Sequence, residues 1–237
     1  MKRAALVAAA LLTATPGVAA AHLDHPSYEP PDTQLTRDYA LVHVLLTDPS
    51  DRFELAGHVY DGKVRVRLKP GGFHRTWLRR HSEPGLVFKA GYQRVRWSGS
   101  LRGEAVRIDG KRGTAIARAI EASLVARDGA GVERGLRAMF AVLLEELTGA
   151  LGRHLEQPAT AKRLHGHVVR YYAAALEAHL TINHPHAARA AGAALRAMET
   201  ALTRPALFHE QRHRFLSAIR HALDSNVNME SGPMALP

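Results

Sequence analysis

Histidine is the residue of this chain best suited to chemistry. There are 15 histidines and no cysteine, so a transition-metal site would have to be built from imidazole, carboxylate, thioether or the amino terminus. Nine of them lie between His154 and His221. The sharpest local pattern is His209-Glu210-Gln211-Arg212-His213, an H-E-x-x-H run. On a helix, residues four apart lie on one face, so His209 and His213 can grip one zinc ion while Glu210 poises a water. His184-Pro185-His186 is a second group, where an extended backbone brings both rings to one side. His165 and His167 are alternate positions of a predicted helix and point apart. His22 and His25 form a third group. Cleavage after Ala21 would make His22 amino-terminal, and its amine and Nδ1 would chelate copper. One helix cannot complete a tetrahedral site, so His154, His165, Glu177 and His179 are the candidate third ligands for His209 and His213.

The run at 209–213 resembles the zinc motif of zincin metallopeptidases. The resemblance covers those five residues and implies His209 and His213 as zinc ligands and Glu210 as general base. The chain departs from that family in placing Arg212 and Arg214 at and beside the motif. His221 lies about 12 Å from His213 along the helix, too far to share its ion. A mature chain starting at His22 resembles periplasmic copper-carrier proteins, which implies a copper site there. Glu210 and His213 also make one E-x-x-H pair of the di-iron bundle type, but no second pair occurs. Glu145, Glu146 and Glu177 read as solvated bundle carboxylates. No Ser-His-Asp order, P-loop or dinucleotide fingerprint is present.

The elements that must position these residues fall into an expected α+β arrangement: a small, mainly antiparallel β region followed by an up-down bundle of about four helices. Residues 1–21 read as a signal peptide, with Lys2-Arg3, an apolar stretch from Ala4 to Ala14, and small residues before the cleavage point. Residues 22–37 form a Pro-rich arm. Residues 38–128 read as β-rich. Asp61-Gly62 between Phe53–Tyr60 and Lys63–Lys69, and Asp109-Gly110 after Glu104–Ile108, are hairpin signals. Gln93, Val95 and Trp97 alternate as in another strand. Ile116, Ile120 and Leu124 fit helix and strand alike, which leaves 114–127 open. Residues 132–224 read as four helices: Glu133–Glu156, Pro158 to Ile182, Pro185 to Leu202 and Pro205 to Leu223. Phe208, Phe215, Leu216 and Ile219 make the apolar stripe of the fourth, with His209 and His213 about 100° away at its edge. Residues 225–237 form a polar tail, expected to be disordered.

These features bound the function. The leader predicts a periplasmic or secreted protein, not transmembrane once the signal is removed. The formal charge of +10 falls by two when Lys2 and Arg3 leave with the leader. Such a surface suits an acidic protein or an anionic membrane surface, and the compartment argues against nucleic acid. The leading expectation is a His-rich protein that binds or delivers zinc or copper. One alternative is a basic, non-enzymatic scaffold. Another is a zinc hydrolase using His209, Glu210 and His213.

Overall fold

The Ala- and Leu-rich half of the chain folds as its spacing predicts, and the described residues before it do not. The computed structural model describes residues 34–49, 51–63 and 100–230. Those residues are 86% helical and contain no strand. The helices are α1 (Gln34–Thr47), α2 (Phe53–Tyr60), α3 (Leu101–Arg112), α4 (Ile116–Ala126), α5 (Gly129–Arg153), α6 (Pro158–Tyr172), α7 (Ala178–Asn183), α8 (Pro185–Thr200) and α9 (Pro205–Glu230). A single π-turn, Ala173–Glu177, joins α6 to α7 without a break. Among the described residues no helix is long and apolar enough to cross a membrane.

The α+β expectation is therefore corrected to an all-helical arrangement over the described residues. The reasons are visible in the residues that carried the strand reading. In α2 the buried positions are Ala56, Val59 and Tyr60, a helical spacing of three and four. Asp61-Gly62 stops that helix: the Gly62 N–H donates to the Val59 carbonyl (3.0 Å) and Gly62 takes a φ of 72°. In α3 the buried Leu101, Glu104, Ala105 and Ile108 again form one helical face. Asp109-Gly110 lies inside this helix, and the stop is Gly113, left-handed at φ 69°. Asp109 turns its carboxylate forward instead. It accepts the Ile116 N–H (2.8 Å), the Ala117 N–H (2.9 Å) and the Thr114 hydroxyl (2.6 Å), which caps the start of α4. Burial alone would raise the Asp109 pKa, but these hydrogen bonds prevail and hold it below the ordinary carboxylate value. Within the open segment 114–127, Ile116–Ala126 is helix, with Ile120 fully buried. The strands expected at 64–69 and 93–97 lie outside the described residues, as do the expected signal peptide and the expected arm as far as residue 33.

In the second half, prolines 158, 185 and 205 open helices where a missing N–H costs nothing. The last helix runs on to Glu230, past the end expected near Leu223. α5 is the spine. Its side chain-rich face, from Val132 through Leu136, Phe140, Leu143 and Leu147 to Leu151, is buried, and it packs against α1, α3, α4, α6 and α9. A line of rings crosses it: Tyr39 on Phe140 (5.3 Å between centroids), Phe140 on Tyr171 (5.6 Å) and Tyr172 on Phe215 (5.5 Å). The π-turn is used in this core, because the Tyr39 hydroxyl donates to the Ala175 carbonyl (3.3 Å).

Polar burial ties α3 to α5. Glu104 and Glu146 are 3% and 8% exposed. Arg107 Nε donates to Glu104 (2.8 Å), and its two Nη atoms donate to the oxygens of Glu146 (3.4 and 2.7 Å). Burial opposes the guanidinium charge, but its hydrogen bonds to both carboxylates outweigh it and raise the Arg107 pKa above its ordinary value. Replacing Arg107 by Met would leave these carboxylates buried without their shared cation. The expected loss is about 3–5 kcal/mol, with Lys111 near Glu146 (3.4 Å) favouring the lower end. Urea unfolding at pH 7 measures it, and a change below about 1 kcal/mol would contradict a structural role for the bridge.

Candidate functional site

The H-E-x-x-H run lies on α9, and its chemistry-bearing side chains face outward. The buried positions of that helix are Phe208, Gln211, Phe215, Leu216, Ile219 and Ala222. His209, Glu210 and His213 are exposed. Glu210 forms an ion pair with Arg214 (2.5 Å), one turn on, so one of the residues departing from the zincin pattern occupies the carboxylate. His209 lies over Gly152 of α5, its Cε1 3.2 Å from where a Cβ would stand. His213 borders a shallow groove with Ala190, Ala194 and Ala197 of α8. Of the expected third ligands, His165 is buried with its Nε2 on the Leu195 carbonyl (3.0 Å), a tie between α6 and α8. Glu177 is exposed. His154 is half-buried at the end of α5. Among the described residues no three His, Asp or Glu side chains gather as a metal-binding group.

His184 and His186 part company. His184 links α7 to α8, and its ring lies 6.0 Å from that of His179. His186 turns to Arg189, with Nδ1 and Nη2 2.9 Å apart. The pairing of His184 with His179, one turn back, was not read from the sequence, which pointed to the H-P-H neighbours. Glu133 of α5 stands within electrostatic reach of His179. It also contacts His43 of α1 and accepts from Arg137 (2.9 Å). Burial, with help from the Arg137 and His184 charges, pushes the His179 pKa down to about 4. Its imidazole is therefore neutral at pH 7, the form that can bind a metal. His22, His25, His74 and His81 lie outside the described residues.

The largest charged constellation was not read from the sequence. It spans α3, α5 and α9. Arg112 Nη1 and Arg220 Nη2 both donate to Glu145 (3.1 and 3.0 Å). Burial raises the Glu145 pKa, but these two guanidiniums prevail and hold it below the ordinary value. Arg107 and Lys111 serve Glu146, which is buried and not solvated as expected. Arg212 Nε donates to the Thr148 hydroxyl (3.1 Å) and its Nη2 to the Glu145 carbonyl (3.4 Å). The signal available beforehand was the α9 spacing of Arg212 and Arg220, two turns apart on one face, opposite the Glu145-Glu146 pair.

Comparison with protein-family models, curated proteins and solved structures gives no match for this chain.

The depressed His179 pKa has a consequence for stability. The unfolded chain takes a proton on this imidazole near its ordinary value of 6.5, the folded one only near 4. The contribution is therefore complete above about pH 7 and is lost as pH falls from there toward 4. The urea midpoint should decline across that interval, and His179→Gln should flatten the decline. An identical slope in the variant would mean that His179 is solvated.

Proposed function

We propose that this chain is an exported, non-enzymatic helical protein that docks through a basic face on an anionic partner, an acidic protein or a membrane surface. The observation that carries the reading is the cation surplus along α3, α5 and α9. Among the described residues, Arg107, Lys111, Arg112, Arg212 and Arg220 stand by three carboxylates, Glu104, Glu145 and Glu146, and Arg153 stands beside Arg212. The two buried carboxylates are satisfied inside the fold, so the charge left on the face is positive. The chain carries +10, less two once Lys2 and Arg3 leave with the leader, and this surplus steers anionic partners toward such a face. Export rests on the leader at 1–21, and with it the exclusion of nucleic acid as partner. Binding to phosphatidylglycerol vesicles or to polyglutamate should be measurable at about 50 mM salt and fall several-fold by about 300 mM. Sedimentation with neutral phosphatidylcholine vesicles is the control. Binding to neither anionic probe, or binding indifferent to salt, would overturn the reading.

Binding or delivery of zinc or copper is the second reading, favoured by the His179–His184 pair. Two imidazoles on one ion hold their ring centroids about 5–6 Å apart, and this pair stands at 6.0 Å. Calorimetric titration of the full chain with Zn(II) and Cu(II) should give one site tighter than micromolar. His184→Ala should abolish it. Loss in His22→Ala but not in His184→Ala would move the site to the amino terminus, and binding weaker than about 100 μM for both metals would remove the reading. The hydrolase reading is not carried further, because Glu210 is held by Arg214.

A further inference from the structure

We infer that the seam between α5 and α9 holds a site for a phosphate-class oxyanion, gripped by Arg153 and Arg212 over Gly149. The inference deepens the docking reading by naming the chemistry that the basic face recognises. Its first observation is convergence. Gly149 has no side chain, and the point where its Cβ would stand lies 3.7 Å from Arg212 Nη2 and 3.8 Å from Arg153 Nη1. Two guanidinium groups from different helices thus meet over a bare stretch of helix backbone.

The second observation is that no carboxylate is paired with either guanidinium, although Glu145 attracts Arg212 from a distance. Among the described residues neither Arg153 nor Arg212 forms an ion pair. The donations of Arg212 go to neutral acceptors, the Thr148 hydroxyl and the Glu145 carbonyl. The contrast with the same face is direct, since Arg112 and Arg220 share Glu145. Burial first, then repulsion from Arg220 and Arg153, holds the Arg212 pKa below its ordinary value despite the attraction of Glu145. A partly buried guanidinium pushed against like charges is stabilised by an anion placed between them.

The third observation is shape. Gly152 lies one turn further along α5, with His209 leaning over it. The neighbours of Gly152 are the His209 and Phe208 rings, whereas those of Gly149 are the two guanidiniums, so the opening lies at Gly149. Planar guanidinium forks from two sides match the oxygens of a tetrahedral phosphate better than they match a single carboxylate. The same group is offered by free inorganic phosphates and by anionic lipid headgroups.

The test uses the full chain with pyrophosphate in solution and with phosphatidylglycerol vesicles, read by calorimetry and sedimentation. Three variants accompany it. Arg153→Gln removes an exposed donor. Gly149→Ala keeps every charge, improves helix propensity and fills the cradle with a methyl group. Arg196→Gln removes the same charge from the exposed face of α8. Pyrophosphate should bind the parent chain below about 100 μM, and Arg153→Gln should weaken it about tenfold. Gly149→Ala should weaken it several-fold, and Arg196→Gln less than twofold. If vesicles share this order, the physiological oxyanion is a headgroup; if only pyrophosphate does, it is a free phosphate. Equal effects of Arg153→Gln and Arg196→Gln, or no pyrophosphate binding below about 1 mM, would overturn the site. Salt-sensitive vesicle binding that survives those results would leave the docking reading standing. Pyrophosphate binding at the cradle with neither vesicle nor polyglutamate binding would sink the docking reading and keep the site.

Discussion

A single guanidinium shared by two buried carboxylates holds the register of the fold. Arg107 reaches Glu104 on its own helix and Glu146 on α5. Each carboxylate is nearly out of solvent, and Arg107 is the cation that both share, with Lys111 adding a second contact to Glu146. α3 can therefore dock on α5 in one longitudinal position only. A slide by one turn, about 5.4 Å, would strand charge in the core. Desolvation offsets most of the attraction within a buried ion pair, whereas removing one partner strands the other charge.

That register then passes outward. With α3 fixed, Arg112 arrives at Glu145, and the second oxygen of Glu145 takes Arg220 from α9. Along the seam Glu145 faces Arg220, Thr148 faces Arg212, and Gly152 faces His209. The pairs run in opposite senses on the two helices, so α9 lies antiparallel to α5. Gly152 eases this approach: a Cβ there would stand 3.2 Å from His209 and 3.3 Å from Phe208, and those rings would have to give by a few tenths of an ångström. Phe208, fully buried, anchors α9 at that point.

What could be read beforehand follows from which signals are local. The prolines at 158, 185 and 205 mark helix starts because the constraint resides in the residue itself. Asp-Gly is different. It breaks a helix or turns a hairpin according to what the flanking apolar residues pack against, and those partners are far away in sequence. Leu101, Ala105 and Ile108 fit the helical face that α5 receives, so the second Asp-Gly ended nothing and Asp109 became a cap for α4. Ile116, Ile120 and Leu124 were open for the same reason. Glu146 was misread because a buried carboxylate is legible only when its cation, 39 residues away in Arg107, is placed beside it.

The histidines show the converse. H-E-x-x-H specifies an arrangement within one helix turn, and α9 supplies that turn, with Phe208, Phe215 and Ile219 taking the core. A helix can bury one face only. Once those residues claim it, His209 and His213 lie at the rim, where any further ligand must come from a neighbouring helix. The neighbour at His209 presents Gly152, and the neighbours at His213 present alanines. Small residues that let helices approach closely carry no donor atoms on their side chains. The close packing that fixes α9 against α5 is thus the same property that keeps a metal site from closing around this motif, and it leaves the seam to the arginines.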